Sequence, residues 1–271
     1  MHTQPSSMEG LSVETCRFYR HAIDILNAAQ VPFLVGGAYA FGSYTKIIRH
    51  TKDFDLFLAT EHVETALQGF RDAGYDAKIV FTHWLGKAYH GEDFVDLIYS
   101  SGNSVCPVDP TWFANAVDAK VLGKPVKLVP AEEMIWQKAF IMERERFDGA
   151  DVNHLIRARS PHMDWDRLLA RFDKNWRVLF SHLVLFGFVY PEERDLIPNW
   201  VVHTLSARLL GEGRAKRNGQ ICHGPLLSRM QYLADTEKWG YKDPRLAPHG
   251  TMTADQLDTW TEAGRTETAA R

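Results

Sequence analysis

The pattern of hydrophobic residues changes at Pro130, and this change constrains the fold more than any other feature of the sequence. Before it, short apolar segments of strand length alternate with helical segments and glycine-rich turns. After it, apolar residues recur every three or four positions over longer segments, a spacing typical of helices that pack on one face. The sequence therefore predicts an α+β fold, in which a small mixed sheet over residues 1–129 is followed by a mainly helical domain over residues 130–271.

The predicted elements are short in the first part and longer in the second. Helices are predicted over residues 12–29, 38–44, 61–73 and 110–117. Strands are predicted over residues 31–35, 52–58, 77–81, 84–89, 94–99, 120–122 and 125–129. After Pro130, helices are predicted over residues 132–147, 151–159, 165–172, 176–188, 198–210 and 228–238, and the tail beyond Thr261 is predicted to fray. We expect the helices of the first part to cover one side of its sheet.

Composition narrows the class of protein. The 271 residues are 45% hydrophobic and 24% charged, which is typical of a globular protein with a real core. The net charge of −3 excludes a global basic field that would attract nucleic acids, although a local basic surface remains compatible with it. Three scattered cysteines disfavour a disulfide framework or a zinc site. Without a signal-peptide pattern or an apolar stretch of about 20 residues, we expect a cytoplasmic protein that does not engage a membrane.

Two aspartates occupy alternate positions of one predicted strand. Side chains alternate across a strand, so Asp53 and Asp55 share one face while Phe54 and Leu56 share the other. Neighbouring carboxylates repel each other, and a divalent cation such as Mg²⁺, which prefers oxygen ligands, relieves that repulsion. The alternative that this pattern leaves open is the solvated polar face of an edge strand.

A pair of glycines, Gly36 and Gly37, separates a predicted strand from a predicted helix upstream of these aspartates. Backbone N–H groups at the beginning of a helix form a ready site for a phosphate. A plain strand-to-helix turn also favours glycine and is the alternative interpretation. The loop that follows the helix carries Lys46 and Arg49, which could meet phosphate or remain solvated.

A third aspartate, Asp96, interrupts an otherwise apolar strand. Buried aspartates without a purpose are rare, so Asp96 is a candidate third carboxylate of the same site. A hydrogen-bonded structural aspartate or a residue at a strand end is the alternative, and Asp93 is the adjacent turn residue.

Together these motifs resemble the nucleotidyltransferase superfamily of the polymerase-beta type. Its signature is a Gly-Gly or Gly-Ser turn followed about a dozen residues later by Asp-x-Asp on the next strand. The residues that match the signature are Gly36, Gly37, Asp53 and Asp55.

The segment 49–55 is also similar to the Arg-x-Thr-x-Asp-x-Asp form of uncharacterised and abortive-infection or toxin-type nucleotidyltransferases. The spacing from Gly37 to the first aspartate is slightly long for the family. Gly42 and Ser43 offer a second candidate turn for the phosphate. We favour the first pair because it ends a strand.

The resemblance implies a two-metal site. Asp53 and Asp55 would bind both Mg²⁺ (or Mn²⁺) ions, while Asp96 would bind one and help to deprotonate the acceptor hydroxyl. The residues implied in nucleotide binding on this part of the chain are Gly36, Gly37, Ser43 and Arg49.

Lys138 is a further candidate catalytic residue, on the predicted helix 132–147. Its neighbours three and four positions away are apolar, which places it on the inward stripe, where a lysine can also cover core with its stem. Abortive-infection-type nucleotidyltransferases carry a lysine on such a helix, proposed to meet the triphosphate, and then an aspartate. Asp148 or Asp151 resembles that aspartate, and the alternative is that Asp148 caps the next helix with Asp151 as its capping-box partner.

Two sets of basic residues later in the chain could contact an RNA acceptor, or could simply be solvated. One set is spaced to line a single helical face, and the other lies in a polar loop. The sets are Arg167, Arg171, Lys174 and Arg177, and Arg214, Lys216 and Arg217.

The resemblance implies an enzyme that transfers NMP from an NTP, ATP among them, to an acceptor hydroxyl. A tRNA 3′ end, another RNA, a protein or a small molecule could be the acceptor, and a toxin or defence role with a cognate antitoxin is implied by resemblance alone. Residues 1–129 would form the catalytic domain, and residues 130–271 a helical domain that closes the active-site cleft. The alternatives are an inactive nucleotide-binding or regulatory module of the same fold, and a glycosyltransferase that uses a nucleotide sugar.

Overall fold

The computed structural model describes residues 11–49, 51, 53–213 and 220–269, and the chain divides into two compact units, Met1–Pro130 and Ala131–Arg271. The fold is mixed α and β, as predicted. None of the helices in the described residues combines the length and the hydropathy that a membrane-spanning segment requires. The basic loop residues predicted as RNA contacts, Arg214, Lys216 and Arg217, lie outside the described residues.

The first unit is built on a mixed sheet. Its helices are α1 (Val13–Ala28), α2 (Gly37–Thr45), α3 (Val63–Asp72) and α4 (Pro110–Ala114). Its strands are β1 (Leu34–Val35), β2 (Asp53–Phe57), β3 (Asp76–Phe81), β4 (Leu85–His90), β5 (Asp93–Ile98), β6 (Val117–Val121) and β7 (Lys124–Leu128). The strand order is β3-β4-β5-β2-β1-β7-β6, in which β2 and β5 are parallel, as are β1 and β7, while the other pairs are antiparallel. Because β2 has a neighbour on each side, the edge-strand interpretation of its aspartates is wrong.

Burial of apolar side chains determines which way β2 faces. Phe54 and Leu56 are fully buried, and the ring of Tyr19 from α1 stacks on Phe54 with 4.9 Å between centroids. Since neighbouring side chains on a strand point to opposite faces, this burial directs Asp53 and Asp55 to the other face. The predicted alternation of β2 is thereby confirmed.

The end of α1 explains why the strand predicted over residues 31–35 is shorter than expected. Gln30 adopts a left-handed conformation (φ 54°), and the N–H of Val31 donates to the carbonyl of Leu26 at 2.9 Å. The amide of Val31 therefore caps the helix and does not join the sheet. Only Leu34 and Val35 remain as strand.

The second unit is helical in its described residues. Its helices are α5 (Ala131–Ala139), α6 (Gly149–Arg159), α7 (Trp165–Phe172), α8 (Trp176–Val189), α9 (Asn199–Gly211), α10 (Leu233–Glu237) and α11 (Ala254–Ala269). The prediction of one helix over residues 132–147 is wrong. After α5 the chain folds back, with Met142 bridged to Phe147 and the N–H of Asp148 donating to the carbonyl of Ile141 at 3.1 Å.

The prediction that the tail frays beyond Thr261 is also wrong, because α11 continues to Ala269. A capping box begins this helix: the amides of Thr253 and Gln256 each donate to the other residue's side chain, at 3.0 and 3.2 Å. Further along, the guanidinium of Arg229 lies 4.2 Å from the ring centroid of Trp260. These contacts hold the helix in place.

Four charged side chains form a buried cluster between α5 and α7. Arg167 Nη2 lies 2.6 Å from Glu132 Oε2, and Arg171 Nε lies 3.0 Å from Glu133 Oε1. Glu133 is completely buried, and Arg171 also lies over the ring of Trp136 at 5.1 Å. The cluster therefore compensates its charges internally.

This cluster corrects the prediction of a single basic face for RNA. Arg167 and Arg171 are engaged with glutamates and largely buried. Helix α7 ends before Lys174, while Arg177 belongs to α8 and pairs with Glu212. The four cations do not share one exposed helical face.

We expect Glu133→Ala to lower the free energy of unfolding by about 3–5 kcal/mol, because Arg171 loses the carboxylate that compensates its buried charge. Glu237→Ala is the matched control, since its pair with Arg265 is solvent-exposed and is worth less than about 1 kcal/mol. Urea unfolding followed by circular dichroism measures both. Equal losses in the two variants would contradict the buried-cluster argument.

Candidate active site

The predicted carboxylates lie together on one face of the sheet. Asp55 of β2 is directly opposite Asp96 of β5, and Asp96 is directly opposite Lys87 of β4. Opposite residues on neighbouring strands share a face, so these three side chains form a row across three strands. Asp53 lies on the same face, two residues before Asp55. We call these four residues the carboxylate face.

Lys87 is an ion-pair partner that the sequence interpretation missed. Its Nζ lies 2.8 Å from Asp96 Oδ1, and the two side chains are only 19% and 15% exposed. The ammonium also lies 3.7 Å from the ring centroid of Phe94. Burial raises the pKa of Asp96, Lys87 opposes that rise, and the negative charge of Asp53 adds to it. The ion pair agrees with a structural role for Asp96, and its position beside Asp55 agrees with a role in the site.

The Gly-Gly turn lies directly against the aspartates. The N–H of Gly36 donates to the backbone carbonyl of Asp55 at 3.0 Å, and Gly37 begins α2 with φ of 52°. A Cβ on Gly37 would lie 1.7 Å from Asp55 Oδ2, and one on Gly36 would lie 2.2 Å from the ring of Phe57. Both positions therefore require glycine, and the carboxylate of Asp55 touches the start of the helix.

The second candidate phosphate turn is not a turn. Helix α2 runs through Gly42 and Ser43, so their amides lie in the body of the helix, away from its N-terminus. Lys46 ends the helix in a left-handed conformation and its Nζ donates to the carbonyl of Ser43 at 2.7 Å. Arg49 lies over the ring of Phe41 at 4.6 Å. Contacts of Ser43 and Arg49 with a nucleotide stay predictions.

The carboxylates of Asp53 and Asp55 are the oxygen donors that suit a divalent cation. Among the described residues, no group of three or more His, Cys, Asp or Glu side chains is arranged to hold a metal ion. Asp53 and Asp55 offer carboxylate oxygens from one strand, whereas Asp96 is held by Lys87. Mg²⁺ commonly takes one or two carboxylates and completes its shell with water and substrate phosphates. The residues therefore fit a cation held by Asp53, Asp55 and phosphate, and a ligand role for Asp96 stays a prediction.

In the second unit, the predicted lysine and aspartates form one ion-paired cluster. Lys138 Nζ lies 2.9 Å from Asp148 Oδ2 and 2.7 Å from Asp151 Oδ2, and Arg146 Nε donates to Asp148 Oδ1 at 2.9 Å. Burial alone would raise the pKa of Asp148, but Arg146 and Lys138 outweigh it and lower that pKa. Contact of Lys138 with a triphosphate stays a prediction.

The alternative interpretation of the same aspartates, as a capping box, is wrong. Asp148 is the N-cap residue of α6, yet its side chain makes no capping hydrogen bond. The carboxylate pairs instead with Lys138 and Arg146, which give it charge-assisted hydrogen bonds.

The family model described as uncharacterised nucleotidyltransferase matches residues 25–185 of this chain. A comparison with curated proteins found no match.

Among solved structures, the chain is similar to the antibiotic-resistance factor ANT(2'')-Ia, with 14% identity, a TM-score of 0.46, and coverage of 64% of this chain and 98% of that one. It is similar to the lincosamide antibiotic adenylyltransferase LnuA, with 15% identity, a TM-score of 0.38, and coverage of 54% and 96%. It is also similar to JHP933 from Helicobacter pylori, with 14% identity, a TM-score of 0.38, and coverage of 74% and 97%.

We expect Gly37→Ala to destabilise the first unit more than Gly123→Ala. Both glycines have positive φ, so both substitutions cost about 1–2 kcal/mol of backbone strain. Only the Cβ at Gly37 meets the carboxylate of Asp55, whereas nothing lies within 4 Å of the Cβ at Gly123. Urea unfolding of the two variants measures the difference.

The Asp55→Ala background isolates the steric part of this cost. Removing the carboxylate removes the atoms that the new Cβ of Gly37→Ala would meet, so the substitution should cost less there. If Gly37→Ala costs the same in both backgrounds, the close approach of Asp55 to the glycine is not what requires glycine.

Proposed function

The chain belongs to the uncharacterised nucleotidyltransferase family, and we propose from this premise that it transfers a nucleoside monophosphate from an NTP to an acceptor hydroxyl with the help of Mg²⁺ or Mn²⁺. The observation that carries the proposal is the contact between the Gly37 turn and Asp55, with Asp96 beside Asp55 on the next strand. A phosphate-binding turn and a set of carboxylates thereby share one small region.

The start of α2 is the proposed phosphate site. The first amides of a helix have no acceptor within the helix, and its N-terminus carries partial positive charge. The ring of Phe57 and the carboxylate of Asp55 fill the space that Cβ atoms at Gly36 and Gly37 would take, so a phosphate at this turn would lie beside Asp55. These two residues would bind and orient the phosphates of the NTP.

Asp53 and Asp55 would hold the divalent cation. When bound, such an ion neutralises phosphate charge and polarises the phosphoryl group. Without a counter-charge, the two aspartates would repel an anionic nucleotide placed at the Gly37 turn. Cation and NTP are therefore expected to bind together.

Asp96 would receive the proton of the acceptor hydroxyl. The acceptor oxygen forms a bond to the α-phosphorus, the bond from that phosphorus to the β-phosphate bridging oxygen breaks, and pyrophosphate leaves with the electron pair. Lys87 holds Oδ1 of Asp96, so Oδ2 is the oxygen proposed to take the proton.

The class of acceptor can be identified by incubating the protein with a labelled NTP and a mixture of cellular RNA, protein and small molecules. The species that gains label is the acceptor. Arg167 and Arg171 no longer support an RNA acceptor, because both pair with glutamates. A toxin or defence role with a cognate antitoxin rests on the sequence resemblance. Growth arrest on expression, relieved by Asp53→Ala/Asp55→Ala, would support that role.

We expect the purified protein to transfer label from an α-³²P NTP in the presence of Mg²⁺, and we expect Asp53→Ala/Asp55→Ala to reduce labelling to background. The double variant removes the carboxylates that hold the cation. Asp118→Ala is the matched control, because it removes an exposed carboxylate from another strand of the same sheet. Labelling that persists in the double variant would contradict the proposed function.

Two other outcomes identify the alternative functions. NTP binding measured by calorimetry, without turnover and indifferent to Mg²⁺, favours a catalytically inactive binding or regulatory module. Consumption of a UDP-sugar without NTP turnover favours a glycosyltransferase.

A further inference from the structure

Lys87 is the member of the carboxylate face that the proposed reaction does not use directly. Its ammonium is held from two sides, by Asp96 Oδ1 at 2.8 Å and by the ring of Phe94 at 3.7 Å. The next residue in the same row is Lys78 on β3, which is directly opposite Lys87. Lys78 is 58% exposed and pairs with Asp76, so it does not share the environment of Lys87.

The charges of the carboxylate face indicate that its aspartates have different partners. Lys87 compensates the charge of Asp96, whereas Asp53 and Asp55 are the carboxylates proposed to hold a divalent cation. A carboxylate freed from Lys87 would lie beside Asp55 as an additional oxygen ligand for that cation. The lysine and the cation are thus alternative partners for the same side chain.

We propose that Lys87 is a positioning residue that keeps Asp96 out of the ligand set of the cation and so leaves it available to the acceptor proton. This inference rests on the proposed function and assigns different tasks to carboxylates on the same face. The cation is held by Asp53 and Asp55, while Asp96 is held by the ammonium of Lys87.

Mn²⁺ binding to the full chain tests the proposal without reference to activity. The loss of free Mn²⁺ signal in electron paramagnetic resonance gives the affinity of each variant. Lys87→Met should bind Mn²⁺ severalfold more tightly, because Asp96 then joins the ligands. Lys87→Arg should bind like the wild type, because a guanidinium can still pair with Asp96. Lys78→Met, which removes a lysine from the same row, should leave the affinity unchanged.

An Asp96→Asn background separates this mechanism from a general electrostatic effect. A lysine near any cation site weakens binding by repulsion, whether or not it touches a ligand. If Lys87 acts through Asp96, Lys87→Met should raise Mn²⁺ affinity clearly less when Asp96 is asparagine, because only the general repulsion is then removed. An equal increase in both backgrounds overturns the proposal, as does unchanged or weaker binding by Lys87→Met.

Steady-state kinetics provide a second measurement. Lys87→Met should lower kcat by about 10- to 100-fold with little change in the KM for NTP, because the nucleotide contacts remain while the proton acceptor is displaced. Lys87→Arg should have a kcat close to that of the wild type, unlike Lys87→Met. A rise in KM at unchanged kcat overturns the proposal, because it would place Lys87 in nucleotide binding.

Failure of this inference is distinguishable from failure of the proposed function. If the wild type binds Mn²⁺ through Asp53 and Asp55 and the Lys87 variants do not differ from it, only the inference fails. If the wild type shows neither Mn²⁺ binding sensitive to Asp53→Ala/Asp55→Ala nor nucleotide transfer, both fail. Thermal melting shows whether Lys87→Met is folded. If Lys87→Met does not fold, Lys87→Arg remains as a variant that retains the positive charge at this position.

Discussion

The approach of the Asp55 carboxylate to the backbone of Gly37 is the constraint on which the candidate site depends. It requires a residue without a Cβ, at positive φ, at the first position of α2. It also requires β1 and β2 to pair in the register that joins the N–H of Gly36 to the carbonyl of Asp55. A helix N-terminus and a carboxylate therefore occupy adjacent space, and the partial positive charge of the first favours the second.

The two units use ion pairs in different ways. In the second unit, the carboxylates of Glu132 and Glu133 face arginines, and that of Asp148 faces Lys138 and Arg146. The carboxylates of these clusters are buried and are compensated locally, which is what a helical core requires of ionised groups. The carboxylate face of the first unit has an exposed member, Asp53, and this difference favours the first unit as the place where a ligand binds.

Much of the local structure could be predicted, because it depends on neighbours in sequence. The alternation in β2 placed both aspartates on one face, and the helix predicted to begin at residue 12 is capped there by Ser12. The pairing of Lys87 with Asp96 could also have been predicted from the sequence. A two-residue turn at Gly91 and Glu92 places His90 opposite Asp93 and, counting outward, Lys87 opposite Asp96. The turn predicted from the sequence included Asp93. One extra residue in the turn shifts the pairing of the two strands, so the contact between Lys87 and Asp96 is not predicted.

Other features could not be predicted, because they depend on contacts between distant segments. The parallel pairing of β2 with β5 brings Asp55 beside Asp96 across a connection that includes α3, β3 and β4. Nothing in either strand specifies that register. The early end of α5 likewise depends on the chain folding back so that Met142 meets Phe147. Helical periodicity continues past that point in the sequence, and tertiary contacts override it.

Three chemically identical side chains on the carboxylate face have three different environments. Asp53 is exposed, Asp55 touches the start of α2, and Asp96 is largely buried against an ammonium. Environment decides the task of a carboxylate, because desolvation and neighbouring charges set how readily it binds a cation or a proton. A side chain already compensated by lysine gains less from a second cation than one that faces solvent. This physical argument is the ground for proposing that a cation would bind at Asp53 and Asp55 and that Asp96 would take the proton.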